Sequence, residues 1–213
     1  MNQEIGDQYS RDKVIDKTGF LEKARLHQSK YRAFRLNVPF DKFGNYLIKE
    51  DALKGLNFYN DFNIFEQVKE RYPNYSRPLY ANMLRSEHIS FNLFSPLKSD
   101  LEYCRSVFNY FMNGQIKSID DIKIEYAPSP AEKYLKDKTS FDTYIEYTHS
   151  DNSKAIIGIE VKYTEREYKL KPGSKQETDI NNRKSKYYVI SEKWKLYKDN
   201  TINHLISDKF RQV

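Results

Sequence analysis

The residue pattern predicts an α/β (α+β) domain, a central sheet containing an antiparallel meander with helices before and after it. Three observations carry that prediction. Apolar residues recur at helical spacing through residues 20–111, and the period drops to two in three short runs after residue 120. Helical spacing then returns beyond the breaker Lys171-Pro172-Gly173.

The elements follow in order. Phe20, Ala24, His27, Tyr31 and Phe34 mark a first helix, and Pro39 and Gly44 mark turns. Phe58, Phe62, Phe65 and Val68 mark a second helix that stops before Pro73. Pro78 opens a third over about 79–94, and Pro96 ends it. Ser99 with Glu102 reads as a capping box for a fourth, closed by Asn113-Gly114. Ile122–Tyr126, Phe141–Tyr147 and Ala155–Tyr163 are the three strands, with a helical turn at Ala131–Leu135 and a tight turn at His149–Ser153. Tyr187, Ile190 and Trp194 suggest one further helix, and Ile202, Leu205, Ile206 and Phe210 another. The expected organisation is a polar, loosely ordered stretch over 1–15 and one domain over 16–213. Within it lie a helical part (16–115), a sheet core (120–165) and a basic helical part (169–213).

Composition removes several function classes. No run approaches the ~20 apolar residues of a membrane-spanning helix, and the first residues lack the apolar core of a secretory signal. One cysteine, Cys104, makes neither an internal disulfide nor a zinc cluster, so a cytoplasmic setting is the expectation. It sits on an apolar stripe and reads as a buried thiol. No Gly-rich phosphate loop or Ser-centred elbow is present, which argues against nucleotide-driven and acyl-transfer enzymes. His27, His88, His149 and His204 are scattered without metal-ligand spacing, and His88 reads as a packed helix residue.

The charge is unevenly spread. Residues 169–198 hold nine Lys and Arg against Glu177, Asp179 and Glu192, matching the +6 formal charge of the whole chain. Tyr187, Tyr188, Trp194 and Tyr197 interleave with those cations, a pattern that suits a phosphate backbone with bases nearby. A solvated helix face is the plainer reading. A smaller basic cluster spans 21–37 with Lys23, Arg25, Lys30, Arg32 and Arg35.

The chemistry concentrates on the meander. Period two sets Gly158, Glu160 and Lys162 on one face of the last strand. A Glu and a Lys inside an otherwise apolar run are costly unless paired or bound to an ion. If the two strands form a hairpin, Asp142 reaches that face. Two carboxylates beside an ammonium group suit a hard divalent cation and an attacking water. The same spacing also fits a simple Glu160–Lys162 ion pair on a half-exposed strand.

The array Asp142…Glu160-Val161-Lys162 resembles the active-site signature of the PD-(D/E)XK phosphodiesterase superfamily. Ser86–Phe94, Ser140–Asp142 and Ile157–Tyr163 together resemble a poorly characterised prokaryotic family assigned as restriction endonucleases, over about residues 20–200. The resemblance implies a restriction-endonuclease-like core with a central mixed sheet. It implies a DNA endonuclease using Mg²⁺, with Mn²⁺ as a substitute. Asp142 and Glu160 would be metal ligands, Lys162 the water-positioning cation, and Glu87 an additional helix-borne acid. Glu87 reads equally well as an ordinary helix-surface residue, and Phe141 stands where the family often has a proline. Lys169, Lys171, Lys175, Arg183, Lys184 and Lys186 would track the DNA backbone. A homodimer is an arrangement the resemblance leaves open. The chain stops in mid-helical pattern at Phe210-Arg211-Gln212-Val213, so the expectation is that relatives extend further. Two alternatives stay open: a non-catalytic nucleic-acid-binding or partner-binding domain on the same scaffold, and an RNA-processing enzyme with the same metal chemistry.

Overall fold

The computed structural model describes residues 5–8, 19–134, 139–165 and 171–195. The chain divides into two compact units, one formed by 1–127 with 139–164 and the other by 128–138 with 165–213.

The first unit begins with helix α1 (Phe20–Tyr31), which runs into a π-helical turn, Arg32–Leu36, ended by Asn37 at φ 57°. A short hairpin follows, β1 (Phe40–Asp41) and β2 (Phe43–Leu47), then helix α2 (Lys49–Leu53). Only turns are expected there from the sequence. Gly44 sits inside β2, while Pro39 falls just before β1; the strands are too short to show a period. Helix α3 (Ile64–Arg71) starts later than its apolar spacing suggests, since Phe62 and Asn63 both have positive φ and hold a loop.

The single helix expected over 79–94 is two. Helix α4 (Arg77–Ala81) ends where Asn82 turns to extended geometry, and α5 (Ser86–Ser99) starts afresh with Pro96 inside it. Helix α6 (Leu101–Phe111) is capped by Asp100, whose side chain accepts a bond from the Tyr103 N–H at 2.9 Å. The expected box on Ser99 is therefore displaced by one residue. Glu102 instead takes the Arg105 guanidinium, three residues on.

Three strands form the meander: β3 (Ile116–Tyr126), β4 (Phe141–His149) and β5 (Lys154–Ile159), paired antiparallel in the order β3-β4-β5. The expected meander is present. A parallel strand that would make the sheet mixed is not found among the described residues. Strand β3 begins six residues before its expected start. Register irregularities at Ile116/Ser118 and Ile119/Asp121 break the alternation there, so Ile116, Ile119 and Ile122 all face inward. Strand β5 ends at Ile159, just before the Glu160–Lys162 segment expected inside it.

The sheet's buried face packs on α5 and α6 through Ile122, Ile145, Tyr147, Phe94, Leu97 and Cys104. Cys104 is fully buried, as expected, and burial pushes its thiol pKa up to about 11. Asn109 brackets the α6–β3 turn, bonding both the N–H and the carbonyl of Ile116. In the second unit, α7 (Lys175–Asn181) and α8 (Lys186–Trp194) are capped by Ser174 and Ser185. The expected helix through Ile202 and Phe210 lies outside the described residues. No described helix is long and apolar enough to cross a membrane.

Two of the five cations in the basic cluster at 21–37 are structural, while Lys23, Lys30 and Arg35 are exposed. Arg32 is 1% exposed, and its guanidinium donates to the carbonyls of Gly44, Val38 and Ile5. Arg25 is buried against Asn45. These cations tie α1 to β2 and to the segment at residues 5–8, where Gly44 donates to the Asp7 carbonyl at 3.1 Å. A Cβ on Gly44 would stand 2.1 Å from the Ile5 carbonyl oxygen and 2.5 Å from Ser29 Oγ. Gly44→Ala is expected to cost about 1–3 kcal/mol, read as a lower midpoint in urea denaturation. An unchanged midpoint would disprove this close packing.

Candidate active site

The meander's register brings the predicted residues to one end of the sheet. Ile124 pairs with Thr143 and Tyr126 with Phe141, so Glu125 stands opposite Asp142. Thr143 pairs with Ile159, so the next step outward brings Glu160 to Asp142 just past the end of β5. Beyond β5 the chain is held by a side chain instead of the ladder, because the Val161 N–H donates to Asp142 Oδ2. Phe141 closes the strand from the other side. Its ring occupies the space of a Cβ on Gly158, at 2.7 Å, and leans on Tyr144.

Glu160 and Lys162 form an ion pair, both side chains partly exposed. That matches the plainer reading of the Glu-x-Lys spacing and leaves the catalytic one open. Glu87, in the first turn of α5, is gripped at both oxygens by Arg85. Arg85 and Glu87 line a cavity of about 370 Å³ with Arg71 and Tyr72.

These groups feel one another. Burial raises the Asp142 pKa above its ordinary value, the Val161 N–H opposes that rise, and Glu160 and Glu87 add to it by repulsion. Lys162 works the other way. Thus Asp142 feels the charges of Glu160 and Lys162, on the next strand segment, and of Glu87, more than fifty residues earlier in the chain. Among the described residues, however, no three Asp, Glu, His or Cys side chains are gathered closely enough to hold a metal ion. Arg85 pairs with Glu87, and Lys162 with Glu160.

Glu125 joins this group, and sequence pattern alone does not single it out. It is 7% exposed, with φ at 53°, a conformation few non-glycine residues adopt. The Tyr72 hydroxyl donates to Oε2 at 2.8 Å, Arg71 donates to its backbone carbonyl at 2.9 Å, and Oε1 has no hydrogen-bond partner. Burial raises its pKa to about 7, with repulsion from Asp142 and Glu87 adding to the shift against the Tyr72 bond. Local alternation puts Glu125 beside the surface residue Lys123, and only the register facing Asp142 reveals it. His88, by contrast, is packed as expected: its Nε2 meets the Leu79 carbonyl, and burial lowers its pKa to about 4.

The basic residues form a separate group in the second unit. Lys171, Lys175, Arg183, Lys184 and Lys186 are exposed, while Lys169 lies outside the described residues. Tyr188 is buried and so not available to stack on a base, whereas Trp194 is 67% exposed with Lys193 over its ring.

A family model of the PD-(D/E)XK nuclease superfamily matches residues 12–213, nearly the whole chain. The chain belongs to the PD-(D/E)XK nuclease superfamily. Nuclease chemistry, the metal-dependent hydrolysis of a phosphodiester, is therefore its function class, and nucleic acid its class of substrate. No significant match is found among curated proteins or solved structures.

The Glu125 carboxyl gives this PD-(D/E)XK protein a pH signature. Its folded pKa lies above the ordinary 4.5, so its stabilising contribution is full below that value and is lost as pH rises through about 7. The melting temperature of Glu125→Gln minus that of the wild type, in EDTA, is expected to grow between about pH 5 and pH 8. A difference constant with pH would show that Glu125 is not buried as described.

Proposed function

We propose that this chain is a Mg²⁺-dependent deoxyribonuclease of the restriction-endonuclease type, with Mn²⁺ as a substitute ion, acting in the cytoplasm. The observation that carries the reading is the register that brings Glu160 to Asp142 at the end of the meander, with the Val161 N–H on Asp142 and Lys162 paired to Glu160. An all-oxygen donor set suits a hard cation, and Asp142 and Glu160, with Glu87, would hold it. The cation supplies charge neutralisation as negative charge builds on the phosphate. Lys162, two residues beyond Glu160, turns from its ion pair to donate a hydrogen bond to the attacking water. Its positive charge favours the hydroxide form at the point of attack.

Substrate contacts are assigned to two surfaces. The exposed Lys171, Lys175, Arg183, Lys184 and Lys186, together with Lys169, track the phosphate backbone. A cleft of about 1100 Å³ in the first unit runs past Arg85 and Tyr163 and carries the exposed rings of Tyr31, Tyr59 and Phe62. Those rings offer stacking surfaces for bases.

A second reading rests on the ion pairs. Arg85–Glu87 and Glu160–Lys162 already neutralise two carboxylates, as a scaffold that binds nucleic acid without cutting it would.

Cleavage of labelled linear and closed circular DNA, with Mg²⁺, Mn²⁺ or EDTA, separates the readings. Metal-dependent cutting is expected, and Asp142→Asn or Lys162→Ala should each reduce it about 100-fold or more. Cutting unaffected by these substitutions would sink the mechanism, and tight binding without turnover would favour the second reading. Matched RNA duplexes should be cut far more slowly than DNA. Replacing Lys171, Lys175 and Lys184 by Ala should weaken DNA binding evenly across sequences and reduce the salt slope by about one per lost contact. An unchanged slope would remove this segment from the interface.

A further inference from the structure

Glu125 is an expensive residue to keep where it is. Its left-handed backbone, at φ 53°, is unfavourable for a non-glycine residue. Its side chain is nine-tenths buried and leaves Oε1 without a hydrogen-bond partner, which is a further cost. An apolar residue would avoid the second of these costs, and a glycine the first. The remaining contacts hold the carboxylate still without completing it. Tyr72 fixes Oε2 and Arg71 fixes the backbone carbonyl, so the carboxylate is held in place through atoms other than Oε1. Across the ladder stands Asp142, and Glu87 lies within the same electrostatic field.

We propose that Glu125 is a further ligand of this chain's divalent-cation site, supplying Oε1 beside Asp142 while Tyr72 and Arg71 act as its positioning residues. The inference rests on the cation-site reading given above. Glu87 and Glu160 are engaged by Arg85 and Lys162, whereas Glu125 Oε1 has no hydrogen-bond partner among the described residues. A carboxylate oriented by a hydroxyl donor is the usual support for a metal-ligating acid. An oxygen buried without a partner in the protein finds one in a cation.

The test is Mn²⁺ binding to the full chain, followed by the loss of the free-ion electron paramagnetic resonance signal and by calorimetry, with no nucleic acid present. Four proteins are compared: wild type, Asp142→Asn, Glu125→Gln and Glu146→Gln. Glu146 is the control for net charge, since it lies on the same strand in an ion pair with Lys123. The expected result is that Asp142→Asn abolishes binding, Glu125→Gln weakens it about 10-fold or more, and Glu146→Gln leaves it unchanged. The amide keeps an acceptor for Tyr72, so Glu125→Gln should fold, and circular dichroism checks this. A purely structural Glu125 would show the reverse, a lower melting temperature with unaltered Mn²⁺ affinity, and that overturns the proposal. So does equal weakening by Glu146→Gln. Wild-type-like binding by Asp142→Asn, or no binding by wild type, removes the underlying site reading and the proposal with it.

Discussion

Everything about the candidate site depends on the pairing of β3, β4 and β5. A strand shifted by one residue turns every side chain to the opposite face. The ladder that sets Ile122 beside Ile145 in the core is the same one that sets Glu125 beside Asp142 at the sheet's end. Packing on α5 and α6 therefore fixes the register, and the register gathers the acids. The two irregularities early in β3 serve that end. They absorb extra residues between Ile116 and Asp121, so that the five residues from Ile122 to Tyr126 meet β4 in step.

The gathered acids repel one another, and the protein contains that repulsion with specific partners. Arg85 covers Glu87, Lys162 covers Glu160, and the Val161 N–H supports Asp142. Glu125 receives only Tyr72 at its carboxylate. The outcome is an arrangement whose carboxylates are close enough to perturb one another and yet not arranged as a ligand shell. Such mutual strain among acids fits a family whose chemistry requires a divalent cation, because a cation relieves what the side chains cannot.

Positive charge is divided between two different tasks. In α1 and the π-helical turn, Arg25 and Arg32 behave as structural groups: Arg32 satisfies three backbone carbonyls that a core would otherwise leave bare. In α7, α8 and their flanks the lysines remain in solvent. A run of basic residues has the same composition in both cases. Burial separates them, and burial depends on which segment comes to lie alongside.

The fold class, the meander and the Asp142…Glu160-Val161-Lys162 array are all legible in the linear sequence, because each rests on a local period or on a short spacing. Glu87 is legible only through family resemblance, and Glu125 not at all. The short β1–β2 hairpin, the break between α4 and α5, and the cap on Asp100 likewise escape local patterns, being decided by neighbours distant in the chain. What the sequence determines by itself is thus the set of elements and the chemical type of most candidate residues. Tertiary structure alone decides which carboxylates meet, which cations are consumed by carbonyls, and that Glu125 lies buried opposite Asp142. Register and burial are properties of paired strands and packed layers, and no single segment carries them.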